Sequence, residues 1–313
     1  MDVHIDVGYS SDEMRTRIYR GEIVILSATP ATKALVDHAR ALIEAAFAPR
    51  DPRHAHEHLS VAECVEILTR LKPHFIHHAD TQKLLRQVLL EYGCDPQKTY
   101  QDVPRLRVAY PSNFLTSGIA YAHHVHRDTW FSAPKSQINW WMPIYQFLPE
   151  QGMAFHPQYW NRSIANDSDQ FNYYQWNAVG RKNAAKEIGK DTRAQPHPQE
   201  PLNLEPQVCF VVPPGGTIVF SAAQLHSTIP NSTDWSRWSI DFRTVDIDDV
   251  VARTGAPTDD SRCTGTSLRD FKRMADFAPM PEEIAESYDT GLLGAGVAVY
   301  RPEANLLTEE SVG

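Results

Sequence analysis

The sequence lacks the features that mark several large classes of protein. Its 313 residues include only four cysteines, none in a C-x-x-C pair, which argues against a zinc ribbon and against a disulfide-stapled fold. No run of five or more basic residues occurs, and 39 acidic against 30 basic residues give a net charge of −9. We therefore expect no nucleic-acid partner.

Long apolar segments are also missing. No stretch approaches the roughly 18 apolar residues that a membrane-spanning helix needs, and residues 1–6 have neither the basic nor the apolar part of a secretory signal. The sequence therefore predicts a cytoplasmic protein with no membrane partner. With 42% apolar and 22% charged residues, the chain can bury a sizeable core.

Hydrophobic spacing divides the chain into a helical part and a β-rich part. Residues 1–103 are predicted to be mainly helical, because apolar residues recur at helical spacing within 35–47, 61–68 and 84–92. Ser60 and Glu63 have the spacing of a helix capping box. From residue 105 onward the apolar runs are short and rich in β-branched and aromatic residues, which is typical of strands. The predicted strands are 22–26, 105–110, 117–123, 136–145, 152–156, 207–212, 217–221 and 237–245.

These segments predict one domain, 1–313, that is mostly β with flanking helices. Its core, 104–245, is expected to be a double-stranded β-helix, the jelly roll of cupin-like proteins. Residues 158–206 interrupt the core with a polar segment that has one short helical run at 182–188, and we expect this segment to be a lid over the substrate. Residues 246–313 are predicted to contain a helix near 268–277 and a glycine-rich tail, 291–296, that is no dinucleotide motif.

Nine of the fourteen histidines fall into three clusters. Residues 54–58 are interpreted as a loop, and His74, His77 and His78 as surface or capping residues. The third cluster contains His126-x-Asp128, whose side chains would share one face of an extended segment. His226 follows 98 residues after Asp128, just beyond the predicted strand 217–221. Two imidazoles and one carboxylate are the facial triad of non-haem Fe(II) enzymes.

A polar row follows on the strand that begins at Arg237, eleven residues after His226. Strand alternation places Arg237, Ser239, Asp241 and Arg243 on one face. A guanidinium offers two parallel donors to a carboxylate, and a serine hydroxyl can add a third. This combination suits the distal carboxylate of 2-oxoglutarate.

Four motifs together resemble the phytanoyl-CoA dioxygenase-like branch of the Fe(II)/2-oxoglutarate oxygenases. They are His-x-Asp at 126–128, Gly-Gly-Thr-Ile-Val-Phe at 215–220, His-Ser-Thr-Ile-Pro-Asn at 226–231 and Arg-x-Ser at 237–239. The resemblance extends over about 21–245. It implies iron at His126, Asp128 and His226.

The same resemblance implies that 2-oxoglutarate binds Arg237 with help from Ser239, and that Gln137 and Asn139, on the strand after His126-x-Asp128, assist. The chain departs from the family at 153–160, where many relatives have a Pro-Gly-Ser-His turn. An acyl-CoA substrate is therefore not implied, and the sequence shows no cluster of lysine and arginine that would hold CoA phosphates. We expect a smaller or more apolar molecule.

Aromatic and histidine residues near these motifs are the candidates for substrate contact: Trp141, His156, Tyr159, Trp160 and Trp176. Trp140 and Trp141 alternate faces of one strand, so one is expected in the core. His123 and His124 are interpreted as pocket wall or core.

The sequence therefore predicts an Fe(II)/2-oxoglutarate-dependent dioxygenase that hydroxylates a small-molecule metabolite, for example one of secondary metabolism, and produces succinate and CO2. Asp128 disfavours halogenation, whereas desaturation, epoxidation and cyclisation remain open. One alternative is a cupin-type metal-dependent isomerase or hydrolase that does not use dioxygen, and it would not need Arg237. Another is a non-catalytic metabolite-binding protein on the same scaffold. The oligomeric state is left open.

Overall fold

The computed structural model describes residues 1–122 and 124–289, so His123 and the glycine-rich tail lie outside the described residues. The core is a mixed β-sheet with helices. Its strands are β1 (Val3–Ile5), β2 (Ile23–Leu26), β3 (Thr99–Gln101), β4 (Arg105–Ala109), β5 (Ile138–Pro143), β6 (Met153–Phe155), β7 (Thr217–Ser221), β8 (His226–Thr228), β9 (Arg237–Asp246) and β10 (Lys272–Arg273). The helices are α1 (Ser11–Ile18), α2 (Pro30–Phe47), α3 (Val61–His77), α4 (Ala79–Glu91), α5 (Tyr173–Gln175), α6 (Arg181–Asn183), α7 (Ile247–Ala252) and α8 (Glu282–Glu286).

Eight strands form the larger sheet, and two form the smaller one. The order in the larger sheet is β1-β2-β7-β5-β9-β3-β10, and β4 also pairs with β9. β1 runs parallel to β2, whereas the other pairs are antiparallel. The smaller sheet pairs β6 with β8 and places Phe155 opposite His226.

The N-terminal helices pack on one face of the larger sheet. α2, α3 and α4 are amphipathic, and the buried side chains Leu35, Leu68 and Leu85 join one core cluster with Trp140 and Trp238 from β5 and β9. The predicted capping box at the start of α3 is confirmed, since Ser60 and Glu63 bond to each other's backbone N–H. The described helices contain more residues than the described strands, because the four longest helices all lie in this N-terminal part.

Three predicted elements differ in the structure. Residues 117–123 form no strand in their described part but contain a 3-10 turn, Gly118–Ala120, because Gly118 adopts a left-handed φ of +63°. Residues 207–212 contribute only an isolated bridge between Val208 and Phe155, and the flanking prolines at 206, 213 and 214 lack the N–H that a longer ladder requires.

The predicted helix 268–277 is also wrong. The chain instead makes a 3-10 turn, Leu268–Asp270, followed by β10, where Arg273 pairs with Tyr100 of β3. Leu268 and Phe271 are three residues apart, which fits helical spacing, but they bury against Tyr100 and Val245 from this irregular conformation. Packing on the sheet therefore overrides the local pattern.

Residues 158–206 contain short helical turns and no named strand. The predicted helical run at 182–188 corresponds to α6 and a 3-10 turn, Ala184–Lys186. The first half of the segment is anchored to the C-terminal part, because the Asn166 side chain donates to the carbonyl of Asp260 at 2.8 Å and the Tyr173 N–H donates to the carbonyl of Thr264 at 3.0 Å.

Among the described residues, no helix combines the length and the apolar character needed to cross a membrane.

Candidate metal centre

The His-Asp-His residues predicted from spacing converge at one buried point. His126 and His226 exchange two backbone hydrogen bonds of 3.0 Å each, and the Asp128 N–H donates to the carbonyl of Ala222, just after β7, at 2.9 Å. Asp128 Oδ1 lies 3.2 Å from His126 Nε2 and 3.9 Å from His226 Nε2. One ligand atom from each of the three residues falls within 4.8 Å of the others. The strands and the backbone bridge thus bring the three side chains together.

The backbone fixes which nitrogen of each histidine faces this point. His126 Nδ1 lies 2.7 Å from the carbonyl oxygen of His124, and His226 Nδ1 lies 2.9 Å from that of Gln224. Because a carbonyl only accepts, each Nδ1 carries a proton, and in the neutral ring this leaves the lone pair on Nε2, the nitrogen that faces Asp128. This is the arrangement that orients imidazole for metal binding.

Burial keeps His226 neutral. Loss of solvent, followed by the nearby charge of His126, lowers the pKa of His226 to about 4. A neutral imidazole at neutral pH is the form that binds a metal ion.

The carboxylate of Asp128 is held by the neighbouring strands. Its Oδ2 accepts a hydrogen bond of 2.9 Å from Asn139, and the Gln137 carboxamide lies 3.4 Å away and also donates to Asn139. Burial alone would raise the pKa of Asp128, but the adjacent His126 imidazole and the charge of Arg243 outweigh burial and hold the pKa well below its usual value. The carboxylate is therefore ionised, with Oδ1 turned toward the histidines.

This set of donors fits a first-row divalent metal. Two imidazole nitrogens and one carboxylate oxygen meet in a buried place, and this combination is diagnostic of non-haem Fe(II) sites with open coordination positions. The described residues contain a second group with ligand spacing, His38, His78 and Asp80, but His78 Nδ1 accepts the N–H of Asp80 as the cap of α4, as predicted from the sequence.

Arg237 provides a buried cation close to the metal centre. The side chain is 5% exposed, its Nη1 donates to Ser239 Oγ at 2.9 Å, and its Nε has no hydrogen-bond partner within the described part of the chain. Its guanidinium stacks 5.3 Å from the ring centre of Trp141. Burial lowers the pKa of Arg237 to about 10. No carboxylate of the described residues forms an ion pair with it, so a charged donor is left for a ligand.

Two cavities meet at the metal centre, and His126, Asp128 and Arg243 line both of them. The smaller cavity, of about 80 Å³, also contains Arg237 and Trp141. The larger cavity has a volume of about 370 Å³, within the size range of small-molecule sites. Its walls come from α3, β4, the turn after Asp128 and the segment 158–206. A ligand in each cavity would therefore approach the same metal ion.

The structure separates the predicted substrate contacts into two groups. Trp176 lines the larger cavity, and Trp141 lines the smaller one beside Arg237. His156, Tyr159 and Trp160 are buried outside the linings of both cavities.

Packing and hydrogen bonds account for the burial of these three residues. His156 Nδ1 donates to the carbonyl of Leu204 at 3.1 Å, and the Tyr159 hydroxyl donates to the carbonyl of Asn203 at 3.2 Å. Trp160 packs on Ala223 and Ala256. A substrate role for any of the three stays a prediction.

Arg127, which lies between the two metal ligands in sequence, is fully buried. Its guanidinium donates to the carbonyls of Ala223, Tyr159 and Arg162 at 3.0, 2.7 and 2.7 Å, and its Nε lies 3.4 Å from Asp260 Oδ2. It therefore ties the metal-binding segment to the start of the 158–206 segment.

Sequence reasoning missed the basic residues of the larger cavity. Arg107 follows Arg105 by two residues on a predicted strand, and this alternation places both on one face. The spacing of Arg105 and Arg107 could therefore have been recognised from the sequence. Lys72 lies on α3, far from every motif, and no local pattern marks it.

No protein-family model and no curated protein matches this chain. Among solved structures, similar chains include a nickel complex of the non-heme monooxygenase ThoJ, with a TM-score of 0.40 and 13% identity over 74% of this chain and 77% of that one. EvdO2 from Micromonospora carbonacea var. aurantiaca, complexed with 2-oxoglutarate, has a TM-score of 0.43 and 12% identity over 77% of this chain and 92% of that one. The α-ketoglutarate-dependent epimerase SnoN from nogalamycin biosynthesis has a TM-score of 0.38 and 14% identity over 75% of this chain and 82% of that one. At TM-scores this low, function is inferred from the geometry of the metal centre alone.

Proposed function

We propose that this chain is an Fe(II)/2-oxoglutarate-dependent oxygenase, of the phytanoyl-CoA dioxygenase-like type, that hydroxylates a small molecule. One observation carries the proposal: the buried His126, Asp128 and His226 share a cavity with Arg237, a buried guanidinium that has no carboxylate partner among the described residues. A metal centre for hydrolysis or isomerisation has no use for such an arginine, and keeping it charged and buried costs stability. This cost favours the oxygenase over the cupin-type alternative.

The smaller cavity is suited to 2-oxoglutarate. Arg237 and Ser239 would bind the distal carboxylate through charge-assisted hydrogen bonds, and Trp141 would flank it. The opposite end of the cosubstrate would then reach the metal, because the same cavity contains Asp128 and His226.

Bound Fe(II) would supply the redox chemistry by which 2-oxoglutarate, dioxygen and a substrate C–H bond give succinate, CO2 and a C–OH bond. The chain's own residues position the reactants. Asn139 and Gln137 hold Asp128 through its Oδ2, the carbonyls of His124 and Gln224 orient the histidines, and Arg237 orients the cosubstrate. Holding reactants in place in this way lowers the entropic barrier to reaction.

We also propose that the two sheets form a jelly roll within one catalytic domain and that 158–206 acts as its lid. The support is the position of the ligands: His226 lies in β8 of the smaller sheet, and Asp128 is bonded to the end of β7 in the larger one. The metal centre thus lies where the two sheets meet, as expected for ligands inside a barrel. Trp176 of the 158–206 segment reaches the larger cavity.

An anaerobic titration tests the proposal. Fe(II) followed by 2-oxoglutarate should give a weak visible charge-transfer band with the wild-type protein, because the cosubstrate chelates the metal. Arg237→Leu should need a much higher 2-oxoglutarate concentration for the same band, whereas Arg20→Leu, at an exposed position, serves as the matched control and should behave as wild type. Absence of the band in the wild type, or an unchanged 2-oxoglutarate dependence in Arg237→Leu, would refute the assignment.

A further inference from the structure

The larger cavity is unusually rich in positive charge. Six basic side chains line it: Lys72, Arg105, Arg107, Arg181, Arg193 and Arg243. They come from α3, β4, the 158–206 segment and β9, which explains why no cluster of basic residues is visible in the sequence. Such a lining favours negatively charged ligands and raises their local concentration.

Each of the five arginines already has a carboxylate partner. The pairs are Arg105–Asp102 at 2.5 Å, Arg107–Asp241 at 2.6 Å, Arg181–Asp270 at 3.0 Å, Arg193–Asp191 at 2.5 Å and Arg243–Asp102 at 3.3 Å. These arginines are therefore largely neutralised within the protein.

Lys72 differs from them. It lies near the end of α3 and is half-buried, and its ammonium donates to the carbonyl of Ile119. Among the described residues, no carboxylate lies within ion-pair distance of it. Arg107 repels it, and Asp241, which attracts it, is already bound to Arg107. Burial first, and then the charge of Arg107, lower the pKa of Lys72 to about 7.

The charges of the site do not balance without a ligand. Six basic groups face five carboxylates, and one of these carboxylates, Asp128, belongs to the metal centre. A divalent metal would add two further positive charges on the same wall. Arg237 and the two negative charges of 2-oxoglutarate belong to the smaller cavity. They therefore do not neutralise the excess of positive charge that lines the larger cavity. A desolvated cation without a counterion is unfavourable, and an anionic ligand would offset that cost.

We propose that the larger cavity binds an organic acid, with its anionic group paired to Lys72. This inference rests on the proposed function, because it identifies the substrate class of the same metal centre. The rest of the molecule would lie against the aromatic side chains Phe131, Phe171, Tyr173 and Trp176. The bond to be oxidised would then face the metal at the opposite wall, where His126 and Asp128 line the cavity. The substrate is thus a small acid with an apolar or aromatic body.

A matched pair of probes tests this inference: 3-phenylpropionate and 3-phenylpropionamide, which differ only in charge. Ligand-observed NMR on the full chain without added metal gives both dissociation constants. We expect the acid to bind at least about tenfold more tightly than the amide, as for a charge-assisted hydrogen bond in a desolvated site. Equal affinity, or no binding of the acid at all, would overturn the proposal.

Variants assign the effect to Lys72. Lys72→Met keeps most of the length of the side chain but removes its charge, and it should abolish the preference for the acid. Lys72→Arg should retain most of it. Lys83→Met removes an exposed lysine of α4 and should leave the preference unchanged. If the preference persists in Lys72→Met with an unchanged melting temperature, the assignment to Lys72 is wrong.

Two further results separate this inference from the proposed function. Acid binding should survive in Arg237→Leu, since that arginine belongs to the smaller cavity. Binding that disappears in Arg237→Leu and persists in Lys72→Met would place the acid in the cosubstrate cavity and overturn the proposal. A Lys72-dependent preference without a charge-transfer band would refute only the oxygenase assignment, and a band without the preference would refute only the assignment of the substrate class.

Discussion

Replacing Arg237 with Met should make the ligand-free protein more stable while it weakens 2-oxoglutarate binding. The guanidinium is 5% exposed and has no carboxylate partner within the described residues. Burial lowers its pKa to about 10, and at about 1.4 kcal/mol per pH unit this shift corresponds to a cost on the order of 3 kcal/mol at neutral pH. The void left by the smaller side chain offsets part of this gain. We expect a net stabilisation of about 1–2 kcal/mol.

The same substitution removes the cation that we propose binds the distal carboxylate of 2-oxoglutarate. Loss of one partner of a buried, hydrogen-bonded charge pair typically costs about 2 kcal/mol or more, which is at least a roughly 30-fold loss of affinity. Affinity for the metal should stay unchanged, because Arg237 makes no hydrogen bond to His126, Asp128 or His226.

Urea denaturation at neutral pH, with and without Zn(II) and saturating 2-oxoglutarate, measures both effects. The wild type should be stabilised by the ligands, whereas Arg237→Met should start from a higher free energy of unfolding and gain much less from 2-oxoglutarate. Arg107→Met is the matched control, since Arg107 donates to Asp241 at 2.6 Å, and loss of this half-buried ion-pair partner should destabilise the protein. A destabilised Arg237→Met that still responds to 2-oxoglutarate would refute the reasoning.

Three other predictions follow from the site. Asn139→Leu removes a 2.9 Å hydrogen bond to Asp128 and should lower metal affinity about tenfold, as measured by Co(II) titration. The same Co(II) affinity in the variant and the wild type would show that Asn139 does not help to hold Asp128 for metal binding. Because Lys72 must be protonated to pair with an acid and its pKa is about 7, with Arg107 and Asp241 as the charges that face it, affinity for 3-phenylpropionate should fall as pH rises above 7. Lys72→Arg should show no such fall up to pH 9. In hydrogen exchange, 176–193 should gain protection on acid binding, whereas 158–174 should be protected in both states; equal protection of 176–193 would make it a fixed wall.

The pairing of His126 and Asp128 could be predicted from the sequence because it depends on short-range geometry. Arg127 is extended, with φ −113° and ψ 141°, so His126 and Asp128 project to the same side, as the i, i+2 rule requires. The expected long strand is absent there, since Asp128 begins a 3-10 turn, Asp128–Phe131. The spacing therefore predicted the constellation although the element around it differs.

Partners that depend on strand register could not be predicted. Gln137 and Asn139 were expected to contact the cosubstrate, but the structure places both carboxamides next to Asp128. Their role toward the cosubstrate stays a prediction. The meeting of Lys72, Arg107 and Arg243 in the larger cavity could not be predicted either, because these residues come from distant parts of the chain and come together only through tertiary packing.

The carbonyls bound by Arg127 set a limit on how this fold can change its specificity. The 158–206 segment is the natural place for variation in substrate, since it supplies one wall of the larger cavity. However, the carbonyls of its residues Tyr159 and Arg162 accept hydrogen bonds from Arg127, which lies between His126 and Asp128 in the sequence. A segment transplanted from another enzyme must therefore present carbonyl oxygens at the same two points, because otherwise a buried guanidinium loses its acceptors and the ligand loop shifts. The wall of the larger cavity can therefore vary only at residues that do not supply these two carbonyl acceptors.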